Sequence, residues 1–195
     1  VYSVKTSRDW VLPSDRHLVH WIHYLETNPE VKTFDFTSEC DWDGDHLWVV
    51  DVILSNGTRI NHQVGRGAEE NGELIALQKG SWKDQASRLE NRVFTDDDLQ
   101  PFVKSSLHWL KAIGFAAALR NYEYPHQALI LLEYFKQYKN GNLGQILKDL
   151  NVCEHEPAVI LGLVARLAIK GHIQLDLADG SFGYRTRWIW SVKEY

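Results

Sequence analysis

The 195-residue chain has no methionine and only two cysteines. Cys40 and Cys153 lie far apart and lack the close Cys/His spacing of a zinc site, so two thiols in a reducing cytoplasm are expected. Methionine is missing even at position 1, as expected of a processed or trimmed chain. No run approaches the roughly 18 apolar residues that suggest a membrane span. Val1–Trp10 carries Lys5, Arg8 and Asp9 and lacks the apolar segment of a signal peptide, so a soluble, cytoplasmic protein is expected. Cationic excess is absent too: 21 Lys and Arg against 26 Asp and Glu give a formal net charge of −5. That balance excludes coating nucleic acid by bulk charge, but leaves room for DNA binding through a local basic face or a bound metal. There is no HExxH and no Cys/His cluster. His17, His20 and His23 fall at helical spacing and read as a surface stripe, with a metal site as the alternative.

What the sequence does have is core material: 44% of residues are hydrophobic and 12% aromatic, enough for one large domain or two small ones. Ser14 or Asp15 caps a predicted amphipathic helix over 17–25, with Leu18, Trp21, Ile22 and Leu25 on one face, and Asn28-Pro29 stops it. Strand-like runs follow at Val31–Phe36, Leu47–Leu54 and Arg59–Val64. Asp43-Gly44 marks one turn, and Asn56-Gly57 predicts a two-residue hairpin connection. From Gly65 a loop rich in glycine and glutamate leads to a short helix or strand at Glu73–Gln78. Thr95-Asp96-Asp97-Asp98 then predicts a capped helix start, its apolar face continuing through Leu107, Trp109, Leu110 and Ile113 to Phe115.

From Tyr124 onward the pattern changes. Pro125 opens a helix to Tyr138, with Leu129, Leu132 and Phe135 expected inward. Leu143–Leu150 is a second helix, and Ala158–Lys170, ended by Gly171, is a third. Ile173–Leu177 and Tyr184–Ser191 alternate as strands, with Trp188 and Trp190 on one face and expected to pack on the helices. Three helices followed by a β-hairpin is the winged-helix order, giving a division into 1–120 and a winged-helix domain over 121–195. Such a module binds DNA or protein. Its candidate phosphate contacts are Arg166 and Lys170 on the third helix and Arg185 and Arg187 in the wing, which is a thin footprint.

Several of these segments resemble TnsA, the endonuclease subunit of heteromeric transposases. Leu25–Phe34 is similar to the family's helix end followed by D-P-x-V-x-x-F, and Leu47–Leu54 to its Y-x-P-D-F-x-V strand. Ser55–Ile60 resembles its hairpin, and Val93–Leu99 its F-x-x-x-T-D-x-x-I helix start. Lys170–Ile173 is similar to a stretch of its C-terminal domain. The resemblance covers nearly the whole chain, and its order and spacing are more specific than any one motif. It implies an α/β fold: a restriction-endonuclease-like mixed sheet with flanking helices, followed by a winged helix. It also implies a Mg²⁺ site in which carboxylates gather the ion, and a lysine that stabilises charge on the scissile phosphate. By the resemblance, Asp51 is the strand aspartate and Gln63 the glutamine of Gln-x-Lys, both catalytic and metal-binding. Gly65 stands where the lysine belongs, with Arg66 one residue on. His17 and Leu18 stand where the first-helix acid belongs, with Asp15 the nearest carboxylate.

The resulting expectation is a DNA-recombination protein with an impaired nuclease site. It would bind double-stranded DNA, assemble with a transposase or ATPase partner, and hold Mg²⁺ weakly or not at all. Two alternatives stand beside it. One is an active endonuclease that completes Asp51 and Gln63 with a migrated set from Glu69, Glu70, Glu73 and Lys79. The other is a winged-helix transcriptional regulator.

Overall fold

The computed structural model describes residues 1–42, 45–65, 90–151 and 156–191. The readings placed on Asp43-Gly44, Arg66, Glu69, Glu70, Glu73–Gln78, Lys79 and Cys153 lie outside them. The chain is mixed α/β and forms two compact units. One comprises Val1–Val11, Glu26–Pro29 and Lys104–Tyr195, the other Leu12–Leu25 and Glu30–Val103. The division drawn between 120 and 121 from sequence therefore falls inside the first of these.

A short antiparallel pair, β1 (Tyr2–Ser3) and β2 (Arg8–Asp9), opens the chain. Helix α1 (Asp15–His20) follows and continues as a π-helical turn, Trp21–Glu26. A four-stranded mixed sheet comes next, in the order β3 (Val31–Trp42), β4 (Asp45–Leu54), β5 (Arg59–Val64), β6 (Glu90–Phe94). β3, β4 and β5 are an antiparallel meander, and β6 runs parallel to β5. Parallel neighbours need a connection of about a dozen residues or more, and 65–89 is long enough to supply it. One sheet face carries Phe34, Val50, Val52, Val64 and Phe94, all buried. Val19, Leu99, Tyr24 and Phe102 join Val64 and Phe94 in its core.

Gly57, at φ +85°, shapes the β4–β5 turn. Leu54 N–H donates to Thr58 O at 2.9 Å and Asn56 Oδ1 accepts from Thr58 N–H at 2.9 Å. The connection is thus residues 55–57 with glycine in the left-handed region, one residue longer than the predicted two-residue turn. At the capped start, Thr95 and Asp98 form a reciprocal capping box on α2 (Asp96–Leu99). The predicted long helix breaks at Pro101 into a 3₁₀ turn, Gln100–Phe102, before α3 (Val103–Ala118). α3 buries Ser106, Ala112, Ile113 and Ala116, and Leu107, expected inward, is 62% exposed.

The remaining elements are α4 (Pro125–Tyr138), β7 (Asn140–Asn142), α5 (Leu143–Asn151), α6 (Pro157–Ile169), β8 (Ile173–Asp176) and β9 (Arg187–Trp190). The three strands form an antiparallel sheet in the order β7-β9-β8. α4 buries Leu131 and Phe135, while Leu129, also expected inward, is exposed. The Phe135 ring lies 4.6 Å from Trp188, and that contact sets the helix rotation. Trp188 is buried, as the strand alternation requires. The second predicted strand starts later than Tyr184, because Gly183 and Thr186 close a turn on each other through two hydrogen bonds of 2.9 Å.

Candidate functional site

Cross-strand pairing decides which polar residues of the four-stranded sheet meet. Asp51 pairs with Asp35 on one side and Asn61 on the other, and Asn61 pairs with Asn91 on β6. Paired residues share a face, so Asp35, Asp51, Asn61 and Asn91 form one polar row across all four strands. Gln63 is two residues beyond Asn61 and pairs with Val49, so it stands on the same face as Asp51, diagonally placed. Such diagonal neighbours are about 7–8 Å apart between backbones, within reach of two side chains that share a ligand. Asp51 is exposed and Gln63 is buried.

The structure thus brings together the two residues singled out in sequence, and adds a second carboxylate, Asp35, directly opposite the first. Only the register reveals Asp35. Its one signal in sequence is the alternation Phe34-Asp35-Phe36, which puts it on the face away from the core. The oxygen donors of Asp35, Asp51 and Gln63 suit a hard cation such as Mg²⁺. Among the described residues, however, no three His, Cys, Asp or Glu side chains converge as a metal-holding group. Gly65 is buried and donates its N–H to Phe94 O at 3.0 Å, so no cationic side chain stands at that position. Asp15 lies exposed in the first turn of α1.

The opposite face of the sheet holds a histidine cluster. His20 Nε2 lies 3.1 Å from His62 Nδ1, one ring donating and the other accepting. Phe94 packs against both, with centroids 4.7 Å from His20 and 4.8 Å from His62. Burial pushes His62 down to about 4, aided by the charge of Arg92. Burial, then His62, His17 and Arg92, hold His20 well below the ordinary value. His17, lowered to about 4 by burial and Arg16, is also buried. The expected surface stripe is therefore corrected: α1 turns His17 and His20 inward, and they are neutral. Arg92 stands over the aromatic rings of this cluster, its guanidinium carbon 4.7 Å from the Phe94 centroid and 5.4 Å from that of Tyr24.

No family model matches this chain, and no curated protein matches it. Among the described residues, no helix is long and apolar enough to cross a membrane.

In the other unit, the four candidate phosphate contacts have different fates. α6 is apolar nearly all round, with Ile160, Leu163, Val164, Leu167 and Ile169 among its buried residues. α3 packs closely on it at Gly162, where a Cβ would come within 2.6 Å of Leu119 Cδ1 and 2.8 Å of Phe115 O. Arg166 is spent inside the fold: Nη1–H donates to Tyr122 O at 2.7 Å and Nε–H to Ala116 O at 3.3 Å, satisfying carbonyls at and beyond the end of α3. Lys170, at the end of α6, and Arg185 are exposed. Arg187 is exposed on β9, in register with Asp176 and Asn142. The β8–β9 connection is itself held: Thr186 O accepts from Leu143 N–H at 3.0 Å, Tyr184 O accepts from Gly144 N–H at 2.8 Å, and Phe182 is fully buried.

Proposed function

We propose that this chain is a DNA-transaction protein similar to the endonuclease subunit of heteromeric transposases. In this reading a restriction-endonuclease-like unit with a depleted metal site is joined to a winged-helix module that works in assembly. The observation that carries the first half is the shared face of Asp51 and Gln63 on adjacent antiparallel strands. The order helix, three antiparallel strands, long connection and parallel strand supports the same reading. Asp51, Gln63 and Asp35 would hold a Mg²⁺ ion, which when bound polarises a phosphate and acidifies a water. The chain's own contribution is limited to binding and orienting that ion, since Gly65 offers no charge to the phosphate.

The order α4, β7, α5, α6, β8, β9, with β9 central in its sheet, supports the winged-helix reading. Because α3 and Arg166 occupy α6 from within the same unit, protein docking is favoured over major-groove reading by that helix, and the same burial weighs against a sequence-specific transcriptional regulator.

Calorimetric titration with Mn²⁺ and a nicking assay on duplex DNA test the proposal. Weak Mn²⁺ binding that disappears in Asp51→Ala is expected, with little cleavage, because a missing charge-stabilising donor costs on the order of 10²–10³ in rate. Tight binding retained in Asp51→Ala sinks the metal site. Robust cleavage abolished by Asp51→Ala establishes an active endonuclease instead. Cleavage that survives Asp51→Ala but fails with Glu73→Ala or Lys79→Ala moves the chemistry to those residues.

A further inference from the structure

The β4–β5 hairpin sets one cation beside the polar row. Leu54 N–H donates to Thr58 O and Thr58 N–H to Asn56 Oδ1, each at 2.9 Å, which fixes where β5 begins. From that start Arg59 pairs with Ile53, and Asn61 with Asp51. Strand alternation therefore puts Arg59, Asn61 and Gln63 on one face, with Arg59 and Gln63 diagonal to Asp51 on opposite sides of it. Arg59 is exposed, as are Asp35, Asp51 and Asn91 of the row. Gln63 is buried, and its pairing partners Val49 and Val93 are half-buried. Of the two residues that flank Asn61 on this face of β5, Arg59 is thus the one a macromolecule can reach.

Charge decides what that side of the row can bind. Asp35 and Asp51 make the row negative, so a polyanion is repelled from it. A divalent ion held by these carboxylates offsets their charge, and Arg59 then adds a positive group one diagonal spacing from Asp51, roughly 7–8 Å between backbones. Arg59 does not stand in for the lysine missing at Gly65. Those two positions lie on opposite sides of Asp51, about 20 Å apart along an extended strand. We infer that Arg59 is a positioning residue, holding a backbone phosphate of duplex DNA that flanks the phosphate at the metal ion. This rests on the reading of Asp35, Asp51 and Gln63 as a metal site. A guanidinium suits the task because its planar fork donates to two phosphate oxygens at once. Its contribution is to binding, so the low cleavage expected of this chain stays low.

The test uses the full chain and a fluorescein-labelled DNA duplex, followed by anisotropy across a salt series with Mn²⁺ or with EDTA. The parent chain is expected to bind more tightly with Mn²⁺. In Mn²⁺, Arg59→Gln should bind about tenfold more weakly, the scale of one charge-assisted hydrogen bond, with a log–log salt slope shallower by about 0.9. Arg59→Lys, which keeps the charge and loses the fork, should restore the slope. Calorimetry should show Mn²⁺ binding undiminished in Arg59→Gln, an outcome that damage to the fold would not give. Lys111→Gln, which removes an exposed charge from α3, should match the parent. Parental affinity and slope in folded Arg59→Gln, while Mn²⁺ still binds, overturn this inference and leave the metal site standing. An equal change in Lys111→Gln overturns it too, as an effect of bulk charge. A parent chain that binds no Mn²⁺ overturns the metal reading and this inference with it.

Discussion

Arg166 donates its Nη1–H to the carbonyl oxygen of Tyr122 across 2.7 Å, tying the third helix of the C-terminal module to the segment that follows α3. This contact takes the one cation on the body of α6 out of any DNA footprint. Arg166→Met is expected to destabilise the chain by about 1 kcal/mol, the net scale of a hydrogen bond, because water can reach the exposed Tyr122 carbonyl and Ala116 O still accepts from Leu119 N–H. It should leave the salt dependence of duplex binding unchanged. Neutralising Arg185 and Arg187 together should reduce the log–log salt slope by about two units if both touch phosphate, at about −0.9 per contact. A slope that falls with Arg166→Met instead would place that side chain on DNA.

Gly162 permits the close approach of α3 to α6. A methyl group there meets Leu119 Cδ1 at 2.6 Å and the Phe115 carbonyl at 2.8 Å, and the second neighbour is backbone that cannot swing aside. Gly162→Ala is expected to cost about 1–3 kcal/mol through overpacking, read as a lower urea midpoint. The opposite outcome is expected at Gly114 on α3, where a Cβ meets nothing within 4 Å. Gly114→Ala should stabilise the helix by up to about 1 kcal/mol.

The buried imidazoles make stability depend on pH in a defined direction. His62 and His17 bind protons at about 4 in the folded chain, against 6.5 when unperturbed. Between those values the unfolded chain holds protons that the folded one refuses. Stability is therefore full above about pH 6.5 and falls as pH drops toward 4, by about 1.4 kcal/mol per pH unit for each such group. Urea unfolding at pH 7 and pH 5 measures this, and equal midpoints would falsify the buried neutral assignment.

Glu26 shifts the other way. It is fully buried, accepting from Ser3 Oγ and from Val4 N–H, each at 2.6 Å, and burial outweighs those bonds in raising its pKa. The folded chain thus holds this proton more tightly than the unfolded one, so stability falls as pH rises from the ordinary 4.5 to the raised value. Glu26→Gln should be at least as stable as the parent at pH 7, whereas Glu26→Ala should lose roughly 1–3 kcal/mol by stranding the two donors. Equal loss in both variants would show that the charge itself is needed.

Sequence alone determined the features whose causes lie within a few residues. Thr95 and Asp98 close their capping box across one helical turn, Pro125 and Pro157 start α4 and α6, and Gly171 ends α6 at φ +82°. The alternation Val50-Asp51-Val52 likewise separated the core face from the polar face. Tertiary structure decided what depends on partners distant in sequence. Register across β3 and β4 set Asp35 opposite Asp51, and the Trp188 contact turned Phe135 inward and Leu129 outward. Packing of α1 on the sheet buried His17 and His20, which helical spacing alone could equally have left on the surface. Arg166 reads in sequence as a cation on a DNA-facing helix. Its role changed because α3 ends beside it, and a guanidinium donates to carbonyls wherever the fold brings them within reach.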